Sequence, residues 1–79
     1  MPTVFREGPY RFFFYSDEGH EPMHVHVERG NDEAKLWLDD VISLVYNFGF
    51  RRNEISEIRN LIVLNRSRIE RRWNEYFSR

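Results

Sequence analysis

The chain contains no cysteine. That absence excludes disulfides, thiolate zinc sites and a cysteine nucleophile together, and it fits a reducing, cytoplasmic setting. No apolar run approaches the ~20 residues that cross a bilayer. The opening MPTVFREGPY has neither the basic start nor the apolar stretch of a signal peptide, so a soluble, non-exported protein is expected. No glycine-rich phosphate loop, G-x-S-x-G or H-E-x-x-H occurs, which removes nucleotide kinase, seryl hydrolase and zincin chemistry. Glycine and proline number only four and three, so turns are few and can be placed one by one.

Aromatic residues are abundant. Seven Phe, four Tyr and two Trp make up 16% of 79 residues. A chain this short buries only about two-thirds of its unfolded surface, and large rings, each removing roughly 150–250 Å² from water, offset that handicap. Self-association is a second remedy, so a homodimer is a live possibility. Length favours one domain spanning residues 1–79. The net charge of −1 hides an asymmetry: residues 1–49 hold four basic and nine acidic side chains, residues 50–79 eight Arg and four Glu.

Thr3 to Arg6 and Tyr10 to Tyr15 (YRFFFY) have strand composition, separated by the turn residues Glu7-Gly8-Pro9. The polar loop Ser16 to Pro22 follows. Met23 to Glu28 (MHVHVE) and Glu33 to Leu38 (EAKLWL) alternate strictly, with Arg29 to Asp32 as a hairpin connection. Opposed residues of an antiparallel pair share a face, so pairing Glu28 with Glu33 gathers Met23, Val25, Val27, Ala34, Leu36 and Leu38 on one side. The same parity adds Phe12 and Phe14. It leaves Arg11, Phe13, Tyr15, His24, His26, Glu28, Lys35 and Trp37 on the other. Glu28 against Glu33 is the discordant like-charge pair.

Asp39 to Phe48 fits either helical or strand spacing, and a fifth strand is the preferred reading. From Asn53, a plausible N-cap, apolar residues recur at three- and four-residue steps through Ile55, Ile58, Leu61, Ile62, Ile69, Trp73 and Tyr76 or Phe77. The expected architecture is α+β: an antiparallel sheet of four or five strands over residues 3–48, with one long helix over 53–77 packed on the apolar face. The histidine face is then left to solvent, a partner or a ligand.

The segments YRFFFYS, the acidic loop, EPMHVHV, the glycine turn and AKLWL resemble a family of small bacterial proteins of unknown function. The likeness continues through Asn47-Phe48-Gly49-Phe50 and the closing WNEYF. Family members tend to carry Ser near position 51 as helix cap, where this chain has Arg51-Arg52-Asn53. The resemblance implies genes set beside a second small protein in the manner of toxin–antitoxin pairs, hence a cognate protein partner or RNA as target.

His24 and His26 form an H-x-H pair whose Cα atoms lie ~6.5–7 Å apart on one strand face. Three uses are open. As acid and base in metal-independent RNA cleavage, the pair would draw on Arg11 and Lys35 to stabilise phosphorane charge, and on Phe13, Tyr15 and Trp37 to stack bases. As ligands of zinc or another divalent metal, His24 and His26 would need a third donor, His20 or one of Asp17, Glu18, Glu21 and Glu28. As a non-catalytic surface, the same face would serve protein interaction, with no cofactor. Lys35 and Arg11 beside His26 predict that it titrates below the usual value.

Overall fold

In the computed structural model, which describes residues 3–77, five strands precede two helices. The strands are β1 (Thr3–Glu7), β2 (Tyr10–Phe13), β3 (His24–Arg29), β4 (Asp32–Leu38) and β5 (Ile42–Phe48). The helices are α1 (Arg52–Leu64) and α2 (Arg66–Phe77). The sheet is an antiparallel meander in the order β1-β2-β3-β4-β5. No helix is long and apolar enough to cross a membrane among the described residues.

Alternation decides the register. His24 pairs with Trp37, Val25 with Leu36, His26 with Lys35, Val27 with Ala34 and Glu28 with Glu33, as parity requires. Arg11 faces Glu28 and Phe12 faces Val27 on the next strand. The β3–β4 connection has two residues, Gly30-Asn31, with Gly30 at φ 60° as the first position of a type II′ turn demands. The Glu28–Glu33 opposition is relieved sideways. Arg11 Nη1 lies 2.8 Å from Glu28, while Glu33 accepts the hydroxyl hydrogens of Tyr15 at 3.0 Å and Tyr46 at 2.6 Å.

β5 is a strand, and its ambiguity on paper has a structural cause. It is an edge, bulged opposite Lys35 and Leu36, so its exposed positions do not alternate cleanly. Gly49 ends it with φ 104°, and a Cβ there would lie 2.1 Å from Asp32 Oδ1, so both backbone and space call for glycine.

The core lies between the helices and the sheet face made by Phe12, Phe14, Val25, Val27, Ala34, Leu36 and Leu38. Ile55, Ile58, Ile62, Ile69 and Trp73 supply the helical side. Phe5 stacks on Phe12 with ring centroids 4.4 Å apart. A register shift between Thr3 and Phe5 lets both Val4 and Phe5 turn inward, which a regular strand forbids.

The expected single helix is two. Asn65 interrupts it with φ −111° and ψ 17°, and its side-chain amide donates to the Leu61 carbonyl at 2.8 Å, an asparagine competing with the helical ladder. The apolar stripe has no member at this turn. Arg66 instead reaches the carbonyls of Asp39 and Leu38, at 2.6 and 3.3 Å. At the other end the helix starts earlier than Asn53. Arg51 is the N-cap, and its backbone N–H is satisfied by Glu54 Oε1 at 2.9 Å.

Candidate metal centre

His24 and His26 emerge from one face of β3, and the face is not open. His24 is 0% and His26 1% exposed, and Phe13 beside them is 0%. The expectation of a solvent-facing histidine surface is therefore corrected: the sheet is covered on both sides. The helices cover one side; aromatic rings and the loop between β2 and β3 cover the other. Phe13 stacks on His26 at 5.4 Å, Tyr15 meets its edge at 4.5 Å, and Trp37 and Trp73 meet His24 at 5.5 and 5.0 Å. Trp73 also packs on Phe14 at 5.2 Å, so α2 reaches the histidines through this one ring.

The loop folds back through Glu18 N–H to Tyr15 carbonyl and Glu21 N–H to Glu18 carbonyl contacts, at 3.4 and 3.1 Å. Gly19 abuts Phe77 so closely that a Cβ would sit 2.4 Å from the ring. This brings Glu18 over the pair. Its Oε1 lies 2.8 Å from His24 Nε2 and 2.7 Å from His26 Nε2. One atom from each of the three side chains falls within 4.8 Å of the others.

The outer nitrogens are also engaged. His24 Nδ1 lies 2.9 Å from the Pro22 carbonyl, an acceptor only, so the ring proton belongs on that nitrogen. His26 Nδ1 lies 3.2 Å from the Tyr46 hydroxyl, which is itself 2.6 Å from Glu33 Oε2. Burial, then the Glu33 hydrogen bond, push the Tyr46 phenol well above its usual range, and Tyr15 is pushed up to about 12 by the same causes. Tyr46 therefore keeps its proton and donates it in a hydrogen bond to Glu33, and its oxygen is left to accept from His26 Nδ1.

Burial lowers His26, against the opposing pull of Glu18. The direction is the one the sequence suggests, but the chief cause is desolvation and not the charges of Lys35 and Arg11. For Glu18, burial pushes upward, yet the hydrogen bonds and charges of His24 and His26 outweigh it and hold the carboxyl below its usual range. Both shifts act in the same sense on stability. A lowered folded value means the unfolded chain takes up protons first on acidification. Stability should be full above pH ~6.5 and fall as pH drops below it, with a further loss through the carboxylate range. Urea midpoints measured against pH check this; in His26→Gln the loss just below pH 6.5 should shrink.

The other residues singled out in the sequence are placed elsewhere. Arg11 pairs with Glu28 and lies over the Phe13 ring, 4.5 Å from its centroid. Lys35 Nζ binds Glu21 at 2.7 Å and lies over Trp37 at 4.8 Å; its nearest approach to the cluster is Glu18 Oε2 at 3.9 Å. Neither cation stands free to meet a phosphate beside the imidazoles. Phe13 is fully buried and no stacking platform, while Tyr15 and Trp37 are half-buried. His20 is exposed on the far side of Gly19, and it lines a shallow cavity with Ser16, Asp17 and Phe77, outside the cluster. Tyr46 and Glu33 escaped notice as partners of His26. Strand parity in β5, had its register been readable, puts Tyr46 beside Lys35 on the histidine face.

Among curated proteins and among solved structures, nothing matches the chain. A family model described as a domain of unknown function (DUF4160) matches residues 10–74. That span runs from the first residue of β2 to within three residues of the end of α2 and takes in every member of the cluster, and the chain belongs to this family.

Proposed function

We propose that the chain is a small divalent-metal-binding protein that holds one zinc-class ion among His24 Nε2, His26 Nε2 and Glu18 Oε1. The observation that carries this reading is the convergence of three ligand atoms, one each from Glu18, His24 and His26, within 4.8 Å of one another. A proton on His26 Nε2 closes its 2.7 Å contact with Glu18 as a hydrogen bond, and a divalent cation held between the same atoms would take that proton's place. Nε2 of His24 points at the same oxygen. Each imidazole is oriented through Nδ1, one by a backbone carbonyl and one by Tyr46 and Glu33, as metal-ligating histidines commonly are.

Two imidazole nitrogens and one carboxylate oxygen suit Zn²⁺ and its first-row neighbours. Tetrahedral ligands at ~2.0–2.2 Å from zinc stand about 3.4 Å apart, so the Glu18 carboxylate has to withdraw by less than about 1 Å. A loop side chain can do that without moving the sheet. The fourth position falls to water or to a donor atom from outside. With Glu18 on the loop and both histidines on β3, the ion ties loop to sheet.

Burial favours this over acid–base action on RNA, the reading that the toxin–antitoxin likeness suggests. A general base has to come within ~2.6–3.2 Å of the proton it removes, and rings 0–1% exposed are closed to a ribose unless the whole loop leaves.

Zinc titrated calorimetrically into protein first stripped with chelator should bind one ion per chain. His26→Ala and Glu18→Gln should each weaken it by at least ~100-fold, and Tyr46→Phe by ~10–100-fold through loss of the orienting contact. His20→Ala should leave it unchanged. An absence of saturable binding in the wild type, or a His20→Ala effect as large as that of His26→Ala, would end the proposal.

A further inference from the structure

We propose that two copies of the chain associate through the free edges of their β5 strands, paired antiparallel about a two-fold axis. The inference is independent of the metal reading. β1 and β5 are the outer strands of an open sheet. Exposed edges invite pairing with another strand, and proteins ordinarily blunt them with charge, proline, bulges or a covering element.

The two edges are treated differently. β1 carries exposed Arg6 and Glu7 and a register irregularity, and α2 lies against it with Arg68 over the Phe5 ring at 5.1 Å. β5 also carries a bulge, opposite Lys35 and Leu36, but it reads ISLVYNF, without a charge or a proline. It exposes Leu44 and Val45 at 40% each and Phe48 at 65%. Val63 of α1 is exposed as well; it lies one turn beyond Arg59, whose Nε donates to the Ile42 carbonyl at 3.1 Å, so it prolongs the apolar strip from the helix side.

The charges at the two ends say what fits. Asp39 and Asp40 precede β5, Arg51 and Arg52 follow it, and all four are exposed. An antiparallel second copy, centred near Val45, brings the acidic end of each strand level with the basic end of the other. A self-complementary edge of this kind closes as a two-fold dimer and offers no open end for fibre growth.

Sedimentation equilibrium over a concentration series should give a mass approaching twice the 9.8 kDa of the chain. Val45→Glu sets two carboxylates near the axis and should raise the dimer dissociation constant by about a hundredfold or more. Phe48→Glu, at a more exposed position, serves if Val45→Glu alters the circular dichroism spectrum. Asp39→Arg should weaken the dimer, and combining it with Arg51→Asp should restore it. A wild type that stays monomeric, as it would if the edge serves a different protein, overturns the inference; so does a dimer indifferent to both glutamate substitutions.

Discussion

Phe13→Ala is expected to cost about 3–5 kcal/mol, as much as Phe12→Ala, although the two rings point to opposite faces of β2. Both are 0% exposed. Phe12 lies in the core beneath the helices, stacked on Phe5. Phe13 lies outside that cluster, against His26 and Tyr15, with Arg11 over it. A sheet open on its polar side would make Phe13→Ala a surface change worth within ~0.5 kcal/mol. Urea unfolding at a concentration where the chain is monomeric decides between the two, with Phe48→Ala as a control on a ring 65% exposed in the single chain. For a domain whose total stability is on the order of 5–15 kcal/mol, either core substitution takes a large share. A Phe13→Ala midpoint no lower than that of Phe48→Ala would mean that the second face is not a packed layer.

Saturating zinc should stabilise the protein by about 2.7 kcal/mol at a hundredfold excess over its dissociation constant and about 4 kcal/mol at a thousandfold. An ion held as proposed would find its three ligands assembled only in the folded chain, so its binding free energy would appear as folding free energy. Chelator should reverse the shift. Glu18→Gln keeps the shape of the loop side chain while removing the charge, and it should show almost none of the zinc-induced shift. The stabilisation should also fade once the pH falls through the lowered range of His26, because protons then compete for its ring nitrogen. An equal zinc-induced shift in Glu18→Gln would place the ion elsewhere on the molecule.

Much of this architecture can be read directly from residue order. MHVHVE and EAKLWL alternate with a period of two, and a slip by one residue would carry Leu36 to the histidine side. The pairing of β3 with β4 is therefore settled by side-chain chemistry before any coordinate is known. Phe12 and Phe14 follow by parity, and the stripe from Ile55 to Trp73 finds its place on the same face for the same reason. The break at Asn65 was not legible, because the stripe resumes at Ile69 in phase with one continuous helix, and it is the asparagine amide on the Leu61 carbonyl that interrupts it.

What residue order left open depends on where a loop goes. Ser16 to Pro22 carries five polar or charged side chains and no periodicity, so nothing local distinguishes a solvated turn from a cover. Only the folded chain brings Phe77, from the far end of the sequence, against Gly19 and so sets the neighbouring Glu18 over both imidazoles. Local alternation determined which residues share a face, because adjacent side chains on a strand must point to opposite sides. Whether the histidine face met water or protein was decided by contacts distant along the chain, where packing and desolvation act together and no period in the sequence records them.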